Sequence, residues 1–339
     1  MKTPSILTLV CSVLLWGIGW VGIRTTQAFQ DTPSASATPA VESGSAEPLT
    51  EPAAAETTPE EAQKADALLS EARSGLANRQ SLQADMKQQI LVGERKLLSE
   101  GTYVSGVFPK LRLDYKIRVG TMQGSLTEVC DGQILHTEKT IGKVGAKGPK
   151  ELEQVFTRRD VQRILAARDS SPNLTVASQG ADLGIGGLPA MLASIDRCMN
   201  GKRITEEEFE GQMCRVFHGA WDQEILKKYD AALKEAKASL VPFFPDIVQV
   251  FFTADTLTPV KIVYLKHELN ESGKITGDRD LMILEFRNLK LDEAVPASTF
   301  QFVLPSGREE TDLTKQFLEL IKEADAALKG ESVPQAKKK

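Results

Sequence analysis

Between Leu111 and Val119 apolar and polar residues alternate without exception: Leu111, Leu113, Tyr115, Ile117 and Val119 against Arg112, Asp114, Lys116 and Arg118. Successive side chains of a strand point to opposite faces, so this segment reads as a strand with one buried and one wet side. One-sided strands are the mark of an antiparallel sheet, because parallel sheets are buried on both faces. A second alternation upstream makes the same demand: Leu82, Ala84, Met86, Ile90 and Val92 against Gln83, Asp85, Lys87 and Gln89.

Further strands are expected at 126–136, split by a turn at Asp131 and Gly132, and at 212–218, 247–253, 259–268, 280–290 and 299–304. Asn270 to Gly273 reads as a hairpin connection between two of them. Helical spacing marks 59–77 (Ala65, Leu68, Leu69, Ala72, Leu76), with Thr58 as cap, Pro59 in the first turn and Glu60 and Glu61 at the positive dipole end. The same spacing predicts helices at 149–168 (Leu152, Val155, Phe156, Ile164, Leu165), 188–199, 222–240 and 312–328 (Phe317, Leu318, Ile321, Leu328). Strands grouped with strands and interrupted by helices give an α+β class, not alternating βα units.

The folded body does not begin at residue 1. Ser5 to Ile23 is an apolar run flanked by Lys2 and Arg24, and Thr26-Gln27-Ala28 offers a small-x-small cleavage site. The run is also long enough to span a bilayer, so residues 1–28 read as a signal peptide or an N-terminal membrane anchor. Cys11 lies inside the run instead of closing it, which argues against lipidation. Residues 29–58 are rich in Pro, Ala, Ser and Thr and almost lack large apolar side chains. Such a stretch buries too little surface to offset its ordering entropy and is expected to be a disordered acidic linker. The body is taken as 59–330, and 331–339 as a disordered basic tail ending in Lys337-Lys338-Lys339. The chain is expected to be periplasmic or extracytoplasmic, tethered to the inner membrane by residues 5–23 if these are not cleaved.

Of the net charge of −5, residues 31–60 supply six acids and no base, leaving 61–339 with 39 basic against 40 acidic residues. A body this close to neutral lacks the cation surplus of a nucleic-acid binder. Catalytic signatures are missing as well. His136, His218 and His267 are widely spaced, without HExxH, and no GxSxG elbow, CxxC pair or GK[ST] phosphate loop occurs. The glycine-rich stretches Leu183–Leu188 and Val144–Pro149 read as loops before helices, and Glu206-Glu207-Glu208 as a solvated turn. No metal site, cofactor or enzymatic activity is expected. In an oxidising compartment Cys198 and Cys214 are a candidate disulfide, or two small buried residues; Cys130 is then the odd thiol.

Four patches, in order, resemble the LolA-like superfamily, which comprises periplasmic outer-membrane lipoprotein carriers and related lipoprotein-type folds. The first is the helix-to-strand passage from Ala67-Leu68-Leu69 to Ser81–Gln88. The second is Gly101–Val104 followed by Phe108–Tyr115, similar to the family's strand–proline–strand hairpin. The third is the Asp-Gly hairpin of Glu128–Leu135, and the fourth is Val295–Gly307, with Phe300-x-Phe302 before a Pro-x-Gly turn. The resemblance implies a strongly curved antiparallel sheet, an incomplete barrel closed by helices, whose apolar concave face holds acyl chains. Leu82, Met86, Ile90, Leu111, Leu113, Tyr115, Ile117, Phe300 and Phe302 would line it. In the carriers an arginine before the hairpin proline helps hold the lid shut; here that position is Phe108, with Arg112 nearby on a strand. The reading is a non-enzymatic exported binding protein for a lipid or acylated, lipoprotein-type ligand. The alternative is an envelope protein-interaction or stress-sensor domain with a filled core. Lipid or lipoprotein acyl chains and a membrane-associated protein are the expected partners.

Overall fold

Thr58 and Glu61 start the folded body as a reciprocal cap. The Glu61 amide donates to Thr58 Oγ1 at 3.3 Å, and the Thr58 amide donates to Glu61 Oε2 at 2.9 Å. Each side chain satisfies an N–H that the first turn leaves without a partner. The computed structural model describes residues 57–92, 95–119, 122–145, 148–169, 187–224, 227 and 245–328. The apolar N-terminal run, nearly all of the acidic segment, most of the helix expected at 222–240 and the basic tail lie outside the described residues. No described helix is long and apolar enough to cross a membrane.

The chain runs α1 (Pro59–Ala77), β1 (Leu82–Val92), β2 (Arg95–Ser105), β3 (Leu111–Val119), β4 (Met122–Cys130), β5 (Ile134–Gly145) and β6 (Gly148–Asp160). There follow α2 (Val161–Asp169), α3 (Gly187–Cys198), β7 (Met199–Phe209), β8 (Gln212–Trp221), β9 (Ile247–Thr253), β10 (Pro259–Leu269) and β11 (Ile275–Leu291). A 3-10 turn (Ala297–Phe300), β12 (Thr311–Asp312) and α4 (Thr314–Leu328) close it. All the strands form one curved 12-stranded sheet in the order β12-β6-β5-β4-β3-β2-β1-β11-β10-β9-β8-β7. Two antiparallel meanders, β1 to β6 and β7 to β11, are joined where β1 pairs with β11. Only the short β12 runs parallel to its neighbour, β6. The edges β12 and β7 do not meet, so the sheet is open.

The main apolar cluster occupies one face, called the inner face here. It gathers Leu82, Met86 and Ile90 of β1, Tyr103 of β2, Leu111, Leu113 and Tyr115 of β3, and Met282, Leu284 and Phe286 of β11 with the helices. α1 and α3 pack together, α1 lying chiefly on β7 and β8; α2 and α4 pack together at β5 and β6. Gly201 allows the first docking: its amide donates to Asp66 Oδ1 at 2.6 Å, and a Cβ there would sit 2.7 Å from that of Ala65. At α3, the Leu188 amide donates to the hydroxyl of Tyr103 at 3.2 Å.

Several expectations are corrected. Residues 148–160 are a strand, and the helix starts only at Val161. The i, i+3, i+4 spacing of Leu152, Val155 and Phe156 fits a helix, but hairpin pairing to β5 overrides it. Val144 to Pro149 is therefore a hairpin region, not a loop before a helix. Glu206-Glu207-Glu208 lies within β7, an edge strand where such charges discourage pairing with another chain. Residues 299–304 form no strand.

Candidate ligand-binding site

Alternation sets which side chains reach the inner face, and the register sets which of them meet. Three transverse rows run across its middle. One passes Leu126, Tyr115, Gly101, Met86 and Phe286, the next Ile117, Ser99, Gln88 and Leu284, and the third Leu97, Ile90 and Met282. Gly101 leaves no side chain between Met86 and Tyr115, whose hydroxyl donates to Met86 Sδ at 3.7 Å. These strands lie between the two helix pairs, which make their main sheet contacts toward the ends of the sheet. Of the predicted lining residues, Leu82, Met86, Ile90, Leu111, Leu113 and Tyr115 are in the inner cluster, and Ile117 packs against it.

Phe300 and Phe302 are not part of this wall. After β11 the chain crosses the opposite, outer face as a strap. Arg112, which alternation turns outward, donates through Nη1 to the Thr299 carbonyl at 3.5 Å. The Phe302 ring stacks on His136 with centroids 4.8 Å apart, and His136 Nδ1 is 2.8 Å from Glu310 Oε1. Phe300 is buried beside Gly106 at the base of the β2–β3 hairpin. Arg112 is also engaged with Asp114 Oδ2 at 2.6 Å, so it is committed to the outer face and does not replace the missing lid arginine.

The Cys198–Cys214 pairing is likewise overturned. Cys198 ends α3 in the inner cluster, whereas Cys214 belongs to a second cluster with Val216, Phe251, Val260, Val263 and Leu265 on the other face. The sheet stands between them, and both cysteines, like Cys130, are buried thiols.

The inner face also carries polar groups that the sequence reading passed over. Glu128 on β4 accepts from Arg159 Nη2 on β6 at 3.3 Å and from the Thr137 hydroxyl on β5 at 3.3 Å. The Arg159 guanidinium lies 5.0 Å from the centroid of Phe317 on α4. Burial pushes the Glu128 carboxyl above its ordinary range, with Arg159 and Thr137 opposing the shift. Burial lowers the Arg159 pKa, and the Glu128 charge opposes that too. Nearer the middle, Gln88 and Ser99 are almost fully buried.

The histidines do not assemble a reaction centre. His136 lies under the strap and meets its Glu310, and His267 Nδ1 is 2.6 Å from Asp278 Oδ1 near the β10–β11 hairpin. His218 Nε2 is 2.8 Å from Thr205 Oγ1, which donates to Glu207 Oε1 at 2.9 Å. Gln249 Nε2 approaches His218 Nδ1 at 3.5 Å. A donating Gln249 places the His218 proton on Nε2, facing Thr205. In that tautomer the ring cannot take the threonine's proton, as a general base must. Among the described residues no group of His, Cys, Asp and Glu is arranged to hold a metal ion.

No family model matches the chain, and no curated protein does. Solved structures similar to it include a LolA superfamily protein from Nitrosomonas europaea, at 11% identity and TM-score 0.23, covering 70% of this chain and 97% of that one. Lipoprotein LppX from Mycobacterium tuberculosis is similar at 10% identity and TM-score 0.35, over 69% of this chain and 98% of that one. MucB, solved in complex with MucA, is similar at 14% identity and TM-score 0.32, over 71% of this chain and 60% of that one. The chain is thus similar to solved structures of the LolA superfamily and of lipoproteins.

Proposed function

We propose that this is an exported, non-enzymatic binding protein that holds a lipid or an acylated, lipoprotein-type ligand against the inner face of its sheet. The observation that carries the reading is the wall between the two helix pairs, where Met86, Ile90, Leu97, Tyr115 and Met282 lie buried side by side in one apolar cluster and Ile117 packs against it. Such a wall gains about 25 cal/mol per Å² of hydrocarbon it removes from water. Met86 and Met282 add adaptable side chains that repack around chains of different shape. Because β12 and β7 do not pair, the sheet can widen without breaking a bond between its edges. Leu82, Leu111 and Leu113 extend the wall. A membrane-associated protein is its proposed partner, and residues 5–23 either anchor the protein to the inner membrane or are removed by cleavage after Ala28.

The near-complete burial of the inner side chains supports a second reading, a filled core in an envelope protein-interaction or sensor domain. Native mass spectrometry of the full chain, exported and purified without detergent, separates the two. Co-purifying masses in the lipid range, lost on Leu113→Glu in a variant that keeps its far-ultraviolet circular dichroism, support the binding protein. A bare polypeptide mass with no uptake of added phospholipid supports the filled core.

A further inference from the structure

Gln88 and Ser99 break the apolar wall at one point. Gln88 is in phase with Met86 and Ile90 on β1, and Ser99 is in phase with Leu97 and Tyr103 on β2; the register places the two directly opposite each other. Gln88 is 0% exposed and Ser99 2%. Gln88 Nε2 donates to Met282 Sδ at 3.3 Å, but Gln88 Oε1 and Ser99 Oγ have no hydrogen-bond partner among the described residues. Each orphaned atom costs desolvation energy that an apolar residue of similar shape would not incur. An otherwise apolar row thus presents a free acceptor beside a hydroxyl that can donate and accept.

Resting on the reading above, we infer that Gln88 and Ser99 form a polar anchor within the acyl-binding wall, selecting chains that carry a neutral donor–acceptor group, an amide or a hydroxyl. Its N–H or O–H donates to Gln88 Oε1, and its oxygen accepts from the Ser99 hydroxyl. An ester offers only acceptors and leaves Gln88 Oε1 unmatched. Among the described residues a charged head finds no counter-charge in these rows: they hold Met86, Ile90, Leu97, Tyr115 and Met282, and Arg159 is already committed to Glu128. Specificity in such a site comes from the mismatch, because a buried polar group left unpaired penalises the wrong ligand.

The test is displacement of bound N-phenyl-1-naphthylamine, an uncharged fluorescent reporter of apolar sites, from the full chain by two neutral competitors of equal chain length, N-methylhexadecanamide and methyl hexadecanoate. The amide is expected to bind the wild type about tenfold more tightly than the ester, the low-to-middle range for one buried polar match. In Gln88→Leu that ratio falls to about one, and in Ser99→Ala it falls part of the way. The readout is a ratio, so a general change in affinity leaves it standing. Equal binding of both competitors by the wild type means that water fills the anchor, and overturns the inference while leaving lipid binding intact. A preference that survives in Gln88→Leu overturns it as well. Displacement by neither competitor overturns the binding reading itself, and the anchor with it.

Discussion

Arg159 on β6 reaches across β5 to Glu128 on β4, its Nη2 donating to Oε1 at 3.3 Å beneath the ring of Phe317. The pair ties the last helix to the far end of the sheet from α1. Removing one partner leaves a buried charge without compensation, so Arg159→Met is expected to cost about 3–5 kcal/mol in denaturant unfolding. Replacing both, as Arg159→Met with Glu128→Leu, should return stability to within about 1.5 kcal/mol of wild type.

The single variant also has a pH signature. Burial already holds the Glu128 carboxyl above its ordinary range, and loss of the guanidinium raises it further. A carboxyl with a higher pKa folded than unfolded takes up a proton on folding, so stability rises as pH falls through the folded value and is lost as pH climbs past it. Arg159→Met should therefore recover stability on acidification from neutral pH, relative to the double variant. Parallel pH profiles of the two would contradict this.

The strap across the outer face separates packing from binding. Phe302 stacks on His136 from the side opposite the wall, so Phe302→Ala should lower stability by about 1 kcal/mol. Lipid uptake should be unchanged, whereas Met86→Asp should abolish it. Uptake lost in a folded Phe302→Ala protein would move the site to the outer face.

Cys130, Cys198 and Cys214 should all be thiols in the purified protein. Burial pushes the Cys130 thiol up to about 11 and raises that of Cys214 as well, which keeps them protonated and unreactive. Iodoacetamide is expected to modify none of the three in the native protein and all three after unfolding. A native mass two hydrogens short, with Cys198 and Cys214 recovered as one linked peptide, would contradict the placement of these residues on opposite faces.

How far the sequence carries the fold depends on which force decides each segment. Alternation placed β1 and β3 because one buried face leaves little freedom of register. The Thr58–Glu61 cap is local chemistry, and α1 begins at Pro59 as expected. Val155 and Phe156 of β6 satisfy helical spacing, and only pairing with β5, a non-local contact, makes them a strand. β7 carries three successive glutamates and few large apolar residues, so an edge strand looked like a turn. Phe300 and Phe302 are expected in the lining because Phe-x-Phe reads as a strand at 299–304 and resembles a last strand of the LolA-like fold. Their side of the sheet is set by the path of the strap after β11, which no local pattern encodes. Gln88 did leave a signal: a polar residue in the buried phase between Met86 and Ile90.

Methionine methyl resonances report directly on hydrocarbon bound at the inner wall. Met86 and Met282 lie in that wall, while Met213 is 53% exposed at the β7–β8 hairpin. In the full chain with ¹³C-methyl methionine, titration with N-methylhexadecanamide should shift the Met86 and Met282 signals saturably and leave Met213 in place. Saturable shifts confined to Met213, or none at all, would contradict binding at the inner wall.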